Sequence, residues 1–218
     1  MIASVQTSNS NLAQKNNRLS VQSQHFAEDS CAIRSLDWDR SRFDIEFGLR
    51  NGTTYNSFII QGQKLAIIDT SHAKFEKLWL EELFKQVKPQ EIDYLITSHT
   101  EPDHSGLISK LIELNPNITI VGSKLALKFI EDQIHLPFKR LEVKSGEFLN
   151  LGINTNSGLE HNIEFISAPN LHWPDTIFSY DHSTNILYTC DAFGLHYCSE
   201  EFFDTDQKEI YDDFRFYY

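Results

Sequence analysis

His99-Thr100-Glu101-Pro102-Asp103-His104 places four metal-capable side chains within six residues, directly after the apolar, strand-like run Tyr94-Leu95-Ile96-Thr97. Two imidazoles and two carboxylates crowded so closely repel or compete unless a cation sits among them. A donor set of nitrogen and carboxylate oxygen suits iron or manganese better than metals that favour thiolates. Pro102 excludes a regular helix interior at this point. The cluster is therefore expected on a loop at a strand end, where functional groups are commonly presented.

Two further segments repeat the pattern. His172 lies in Asn170-Leu171-His172-Trp173-Pro174-Asp175, after the apolar run Ile163-Glu164-Phe165-Ile166. Asp191 lies in Thr189-Cys190-Asp191-Ala192-Phe193-Gly194, after Ile186-Leu187-Tyr188. Three strands are thus each followed by a metal-capable group, and strand ends of a layered sheet converge on one crevice. Asp69, after the strand-like Leu65-Ala66-Ile67-Ile68, reads as a cap or as a carboxylate that orients a metal-bound imidazole. His196 is a weak pocket candidate. Cys190 reads as a buried structural thiol, and Trp173 as a pocket or core aromatic. The remaining histidines, His25, His72, His135, His161 and His182, read as surface residues.

Periodicity supplies the frame. Phe43-Asp44-Ile45-Glu46-Phe47 alternates as a half-buried strand, and Asn51-Gly52 is a hairpin-turn signal. Strands follow at Ser57–Ile60 and Leu65–Ile68, joined near Gly62. Asp69-Thr70-Ser71 offers a cap for a helix from Ala73 to Gln86, which Pro89 ends. A strand over 93–98, a helix over 105–114, a strand at Ile118–Val121 and a helix over 124–133 come next. After Pro137 the chain turns to short strands. Such a mixture predicts a layered α/β sandwich, with residues 1–38, rich in Ser, Asn and Gln, as a flexible polar leader.

The 218 residues suffice for one well-buried domain. A net charge of −12 argues against nucleic acid and against an anionic membrane surface. Three cysteines without a C-x-x-C pair argue against a disulfide framework or a cysteine-based zinc or iron–sulfur site, and fit a reducing cytoplasm. No apolar run reaches membrane-spanning length, and the N-terminus lacks a secretory h-region. The acidic residues Glu200, Glu201, Asp204, Asp206, Asp212 and Asp213 read as a solvated face.

Taken in order, His99-x-Glu101-x-Asp103-His104, His172-Trp173-Pro174-Asp175 and Asp191 resemble the flavodiiron proteins, a branch of the metallo-β-lactamase fold. Phe47-Gly48-Leu49-Arg50-Asn51-Gly52-Thr53-Thr54-Tyr55-Asn56-Ser57 is similar to the start of that domain. The resemblance runs from about residue 38 to the end and is nearest to the oxygen-reducing versions of cyanobacteria and plants. It implies an αββα sandwich over 39–218, incomplete at its C-terminus, with a non-haem diiron centre. One iron would take His99, Glu101 and His172, the other Asp103 and His104, with Asp191 bridging. The implied activity is reduction of O2 to water, or of NO to N2O, with electrons from NAD(P)H through FMN. FMN would come from the flavodoxin-like domain of a full-length partner in a homo- or hetero-dimer.

Glu101 replaces the second His of the H-x-H-x-D-H pattern usual in zinc hydrolases of this fold, which shifts the donor set towards oxygen. A zinc metallo-hydrolase is the alternative, and an inactive truncated fragment a third reading. The family's further His ligand to the second iron would fall past Tyr218. The flavodoxin-like and flavin reductase domains are likewise outside the sequence.

Overall fold

The protein, seen in a computed structural model, is described for residues 18–43, 47–204 and 210–217. It is built from two stacked sheets, with three of its helices packed on the outer face of the larger one. The first sheet has seven strands: β1 (Leu19–Ala27), β2 (Ser30–Asp37), β5 (Thr53–Gln61), β6 (Leu65–Ile68), β7 (Ile92–Ile96), β8 (Thr119–Gly122) and β9 (Lys139–Glu142), in that spatial order. From β1 to β6 neighbours are antiparallel, and from β6 to β9 they are parallel. The second sheet is an antiparallel meander of β10 (Phe148–Ile153), β11 (Glu160–Ser167), β12 (Ile177–Asp181) and β13 (Ile186–Tyr188).

The central strands read as unbroken apolar runs because both of their faces are buried. Along each, alternate residues go to opposite sides. Ile59, Ile67, Leu95 and Ile120 join the helix-side core, which holds Phe75, Trp79 and Leu83 from the segment leading into and along α1 (Glu76–Gln86). The same core takes Ile108, Leu111 and Ile112 from α3 (Ile108–Leu114) and Leu127 and Ile130 from α4 (Lys124–Ile134), α2 being the short Pro102–Ser105 turn. Ile60, Ala66, Ile68, Ile96 and Val121 face the other way and meet Leu149, Leu151, Ile163, Phe165, Ile177 and Tyr188 of the second sheet. Trp79 keeps its indole N–H satisfied inside the core by donating to Ser57 Oγ at 2.9 Å. Helix α4 starts where Ser123 Oγ accepts from the Ala126 N–H at 3.1 Å. The outward face of the second sheet leaves Phe148, Ile166 and Leu187 exposed. A last helix, α5, spans Ile210–Tyr217.

Several expectations need correction. Residues 19–37 are not leader: they form β1 and β2, and β2 buries every residue but Arg34. The remainder of the expected leader, residues 1–17, lies outside the described residues. In place of one strand over 43–47, a small hairpin pairs β3 (Arg42–Phe43) with β4 (Phe47–Gly48), and residues 44–46 are not among those described. Asn51-Gly52 makes no hairpin, because β5 pairs with β2 and β6. Gly52 instead passes close to β2 with φ +66°, where a Cβ would stand 2.4 Å from the Asp37 carbonyl oxygen. The turn before α1 is capped by His72, whose Nδ1 accepts from the Lys74 N–H at 3.2 Å, and not by Asp69-Thr70-Ser71.

His161, expected at the surface, is fully buried. Its Nδ1 lies 2.8 Å from Asp181 Oδ2 and its Nε2 3.3 Å from Asp29 Oδ2. Asp29 sits in the β1–β2 turn and also takes the Ser157 hydroxyl. One imidazole therefore ties the first sheet to β11 and β12 of the second.

Burial opposes charge on His161, but Asp181 and Asp29 outweigh it and raise the imidazole above its ordinary value. Burial likewise opposes charge on Asp181, and His161 and Thr184 outweigh it, holding this carboxyl below the usual range. The stability from His161 is thus complete below the unfolded imidazole value of about 6.5 and is lost as pH rises through the raised folded value. That from Asp181 is present above about 3.9 and is lost as pH falls through the depressed value. Asp181→Ala is expected to cost about 3 kcal/mol, since it takes from a buried imidazolium the nearer of its two carboxylates, and to flatten the decline in melting temperature above neutral pH. Melting curves across pH that match the parent protein would contradict this role.

Candidate metal centre

The crevice forms where β6 and β7 end beside the loops that follow β11 and β13. Just past β6, Asp69 has φ +57° and turns both carboxylate oxygens to use. Oδ1 accepts from the Ser98 N–H at 2.7 Å, and Oδ2 lies 3.1 Å from His104 Nδ1. Thr70 holds the His104 carbonyl with its N–H and its hydroxyl, each at 2.7 Å. Ring and backbone of His104 are thus both fixed from the β6 end.

Pro102 stands at the first position of the helical turn α2, where a missing N–H costs nothing. Asp103 and His104 ride on that turn, while His99 and Glu101 precede it. The expectation of a loop holds for the first two residues and is corrected for the other two. Gly106 lets the turn settle against the neighbouring segment, since a Cβ there would stand 2.8 Å from the Ala73 nitrogen and the Ser71 oxygen.

The structure brings all six sequence candidates together. His99, Glu101, Asp103 and His104 are buried. His99 Nε2 lies 3.5 Å from Glu101 Oε2 and 3.6 Å from Asp191 Oδ2. His172 Nε2 lies 3.0 Å from Glu101 Oε2 and 3.3 Å from Asp191 Oδ2. His104 Nε2 lies 3.0 Å from Asp191 Oδ1 and 3.7 Å from Asp103 Oδ2. Asp191 therefore offers one oxygen to the His99–Glu101–His172 group and the other to the Asp103–His104 group. Asp103 Oδ1 is buried with no hydrogen-bond donor among the described residues. An orphaned, buried oxygen on a carboxylate that stands beside clustered imidazoles is the environment that an oxygen-binding cation satisfies.

Without a cation, the groups can only share protons unevenly. Burial, with the neighbouring His104 charge, pushes His99 down to about 3. Hydrogen bonds that His172 donates to Asp191 and Glu101 lift it to about 10. Burial raises Asp103 to about 6 against the pull of His104, with Asp191 and Glu101 adding to the rise. Burial works against charge on Asp191, but His104, His172 and His99 prevail and hold it well below the usual carboxylate range.

Three further residues belong here, of which the sequence placed only Cys190 elsewhere, as a structural thiol. Asp175 Oδ2 accepts from the Thr100 N–H at 2.9 Å and from its hydroxyl at 2.8 Å, locking the His172 loop to the peptide between His99 and Glu101. Trp173 stacks over His99 with centroids 5.8 Å apart. Cys190 is no mere core thiol: its Sγ lies 3.2 Å from His99 Nδ1 and 3.6 Å from His104 Nδ1. Burial pushes this thiol upward, so it carries its proton when no metal is bound. A cavity of about 80 Å³ opens onto Asp103, His172 and Asp191. Its far wall includes Phe43 and His196, whose rings pack 4.3 Å apart, and His196 Nδ1 lies 3.0 Å from Thr53 Oγ1.

The match to known proteins follows these residues. Residues 53–217 match the family model described as ODP family beta lactamase, and the chain belongs to that family. It is 60% identical over 201 residues to putative diflavin flavoprotein A 1 of Nostoc sp., covering 92% of this chain and 34% of that protein. Diflavin flavoprotein A 1 of Synechocystis sp. is 57% identical over the same span, with the same coverage. The chain thus spans about a third of the length of these relatives.

Among solved structures, the metal-soaked Flv1 flavodiiron core of Synechocystis sp. superposes with a TM-score of 0.82 at 31% identity, covering 91% of this chain and 49% of that one. Rubredoxin oxygen:oxidoreductase of Desulfovibrio gigas gives 0.82 at 29% identity, over 90% of this chain and 48% of that one. Fold and family are those of the flavodiiron metallo-β-lactamase-like core.

Asp69 holds the His104 ring and Asp175 holds Thr100, between His99 and Glu101, so each is expected to matter for metal affinity more than for folding. Asp69→Ala and Asp175→Ala should each weaken ferrous binding by about 10–100-fold while the far-ultraviolet circular dichroism stays that of the parent. Equal affinity in both variants would contradict the positioning role.

Proposed function

We propose that this chain carries the terminal diiron site of a flavodiiron oxidoreductase that reduces O2 to water, or NO to N2O. His99, Glu101 and His172 would hold one iron, Asp103 and His104 the other, and Asp191 would bridge them. The observation that carries this reading is the division of Asp191, with Oδ2 turned to His99 and His172 and Oδ1 to His104. A pair of redox-active metals held by these residues would supply the electrons for reduction of a small diatomic. Glu101 and the other carboxylates supply oxygen donors in place of a further imidazole, which favours iron over zinc. The cavity of about 80 Å³ beside Asp103, His172 and Asp191 has room for a small molecule such as a diatomic gas.

The chain's own residues set the remaining conditions. Asp175 holds the His99–Glu101 peptide against the His172 loop, so that side chains from different sheets keep one spacing. Trp173 covers His99 and limits water on that side. Electrons would come from NAD(P)H through FMN, carried by a flavodoxin-like domain in the complete protein and delivered across a homo- or hetero-dimer. Rubredoxin oxygen:oxidoreductase, similar in fold, bears its oxygen reaction in its name.

The three cysteines are free, which fits a cytoplasmic location. No helix among the described residues is long and apolar enough to cross a membrane.

Anaerobic reconstitution with ferrous iron is expected to load about two irons per chain, as paired-metal chemistry requires. Glu101→Ala and Asp191→Ala, made in the complete flavin-bearing protein, should lose iron and lower O2 or NO consumption by about a hundredfold or more. Undiminished turnover with either gas in either variant would overturn the assignment.

A further inference from the structure

Cys190 Sγ lies beside both imidazoles that the iron assignment sends to different metals, whose rings pack 4.3 Å apart. Its Sγ is 3.8 Å from His99 Nε2 and 4.0 Å from His104 Nε2. The neighbouring Asp191 has Oδ2 3.6 Å from His99 Nε2 and Oδ1 3.0 Å from His104 Nε2. Donor atoms from these four side chains all lie within 4.8 Å of one another. In a tetrahedral zinc site with bonds of about 2.0–2.1 Å to nitrogen or oxygen and about 2.3 Å to sulfur, adjacent donors are about 3.3–3.7 Å apart. Cys190 Sγ and the Asp191 carboxylate stand near that spacing from the two imidazoles, and side-chain rotation would close the rest of the 4.8 Å spread. His104 Nδ1 is turned to Asp69, which leaves Nε2 free to point at the ion. That is the second hydrogen bond typical of a metal-bound imidazole.

We propose that His99, His104, Cys190 and Asp191 form a mononuclear site for a thiophilic divalent cation, zinc or cobalt(II), which competes with filling by two irons. The competition is built into the donors. This site takes His99 from one iron position, His104 from the other, and the bridging carboxylate as well. The soft thiolate selects the ion, since zinc and cobalt accept sulfur more readily than the carboxylate-rich alternative offers. Coordination replaces the S–H bond by a metal–sulfur bond and releases the proton to solvent, with no change of oxidation state. Cys31, on β2, and Cys198, whose Cβ lies beside Gly52, are both buried away from these imidazoles and take no part. The zinc or cobalt site stands on the four donors alone; its competition with iron rests on the iron assignment above, and the cobalt band tests the first separately from the second.

The test is anaerobic titration of the full chain with cobalt(II). The first equivalent is expected to bring a sulfur-to-cobalt charge-transfer band in the near ultraviolet and the strong visible absorption of tetrahedral cobalt. Cys190→Ser should lose the charge-transfer band, while Cys31→Ser keeps it. A second reading uses the parent protein alone and so does not depend on how the variants fold: prior loading with one equivalent of zinc should shield Cys190 from alkylation, located by peptide mass, and should block uptake of ferrous iron. Absence of the band in the parent protein, its persistence in Cys190→Ser, or iron uptake unaltered by zinc would overturn the proposal.

Discussion

Three imidazoles and three carboxylates meet in a largely buried crevice between two sheets, and their mutual charge is the constraint on which the rest of this structure turns. Buried charge is tolerated where it is paired or coordinated. Here the pairing is incomplete: Asp103 keeps a buried oxygen without a donor, and the protons are forced into an uneven pattern across His99, His172 and Asp103. A cation at the centre resolves both at once. The surrounding architecture serves to hold these groups at that separation.

The holding is done by short polar links rooted in well-packed strands. Asp69 and Thr70, at the end of β6, fix His104 from below, and Asp175 fixes the peptide between His99 and Glu101. The Ile177 N–H donates to the Ser98 carbonyl at 2.8 Å, so β12 of the second sheet begins hydrogen-bonded to the loop that leaves β7. Because Ile68 and Ile96 anchor β6 and β7 in the core between the sheets, the geometry of the site is inherited from packing. At the opposite side of the sheet stack, His161 ties the β1–β2 turn to β11 and β12. The two sheets are thus joined by polar contacts at both ends and by apolar contacts between.

Much of this was legible in the sequence where one physical rule dominated. The pairing of β5 with β6, the helix over Glu76–Gln86 and the parallel strand before His99 all follow from apolar periodicity and from Gly or Pro punctuation. The six candidate ligands were legible because metal-capable residues recur after strands. What escaped notice was polar residues with specific partners. β2 looks like leader because it carries Ser30, Ser35 and Asp37, yet Ser35 meets the Ser71 hydroxyl at 2.8 Å and Asp37 takes the Tyr55 hydroxyl at 2.9 Å and the Lys74 ammonium. His161 escaped for the same reason, since its two acidic partners are far away in sequence. Cys190 escaped because nothing local distinguishes a thiol in a core from one aimed at two imidazoles. The adjacent Asp191 was the available signal.

The most direct test of the central claim is X-ray absorption at the iron edge of the chain after anaerobic loading with ferrous iron. Asp191 bridging two occupied positions requires a metal–metal scattering path of about 3.5 Å with a first shell of nitrogen and oxygen. A spectrum with that shell and no iron–iron path would mean isolated ions, and would contradict the account of Asp191 as the bridge.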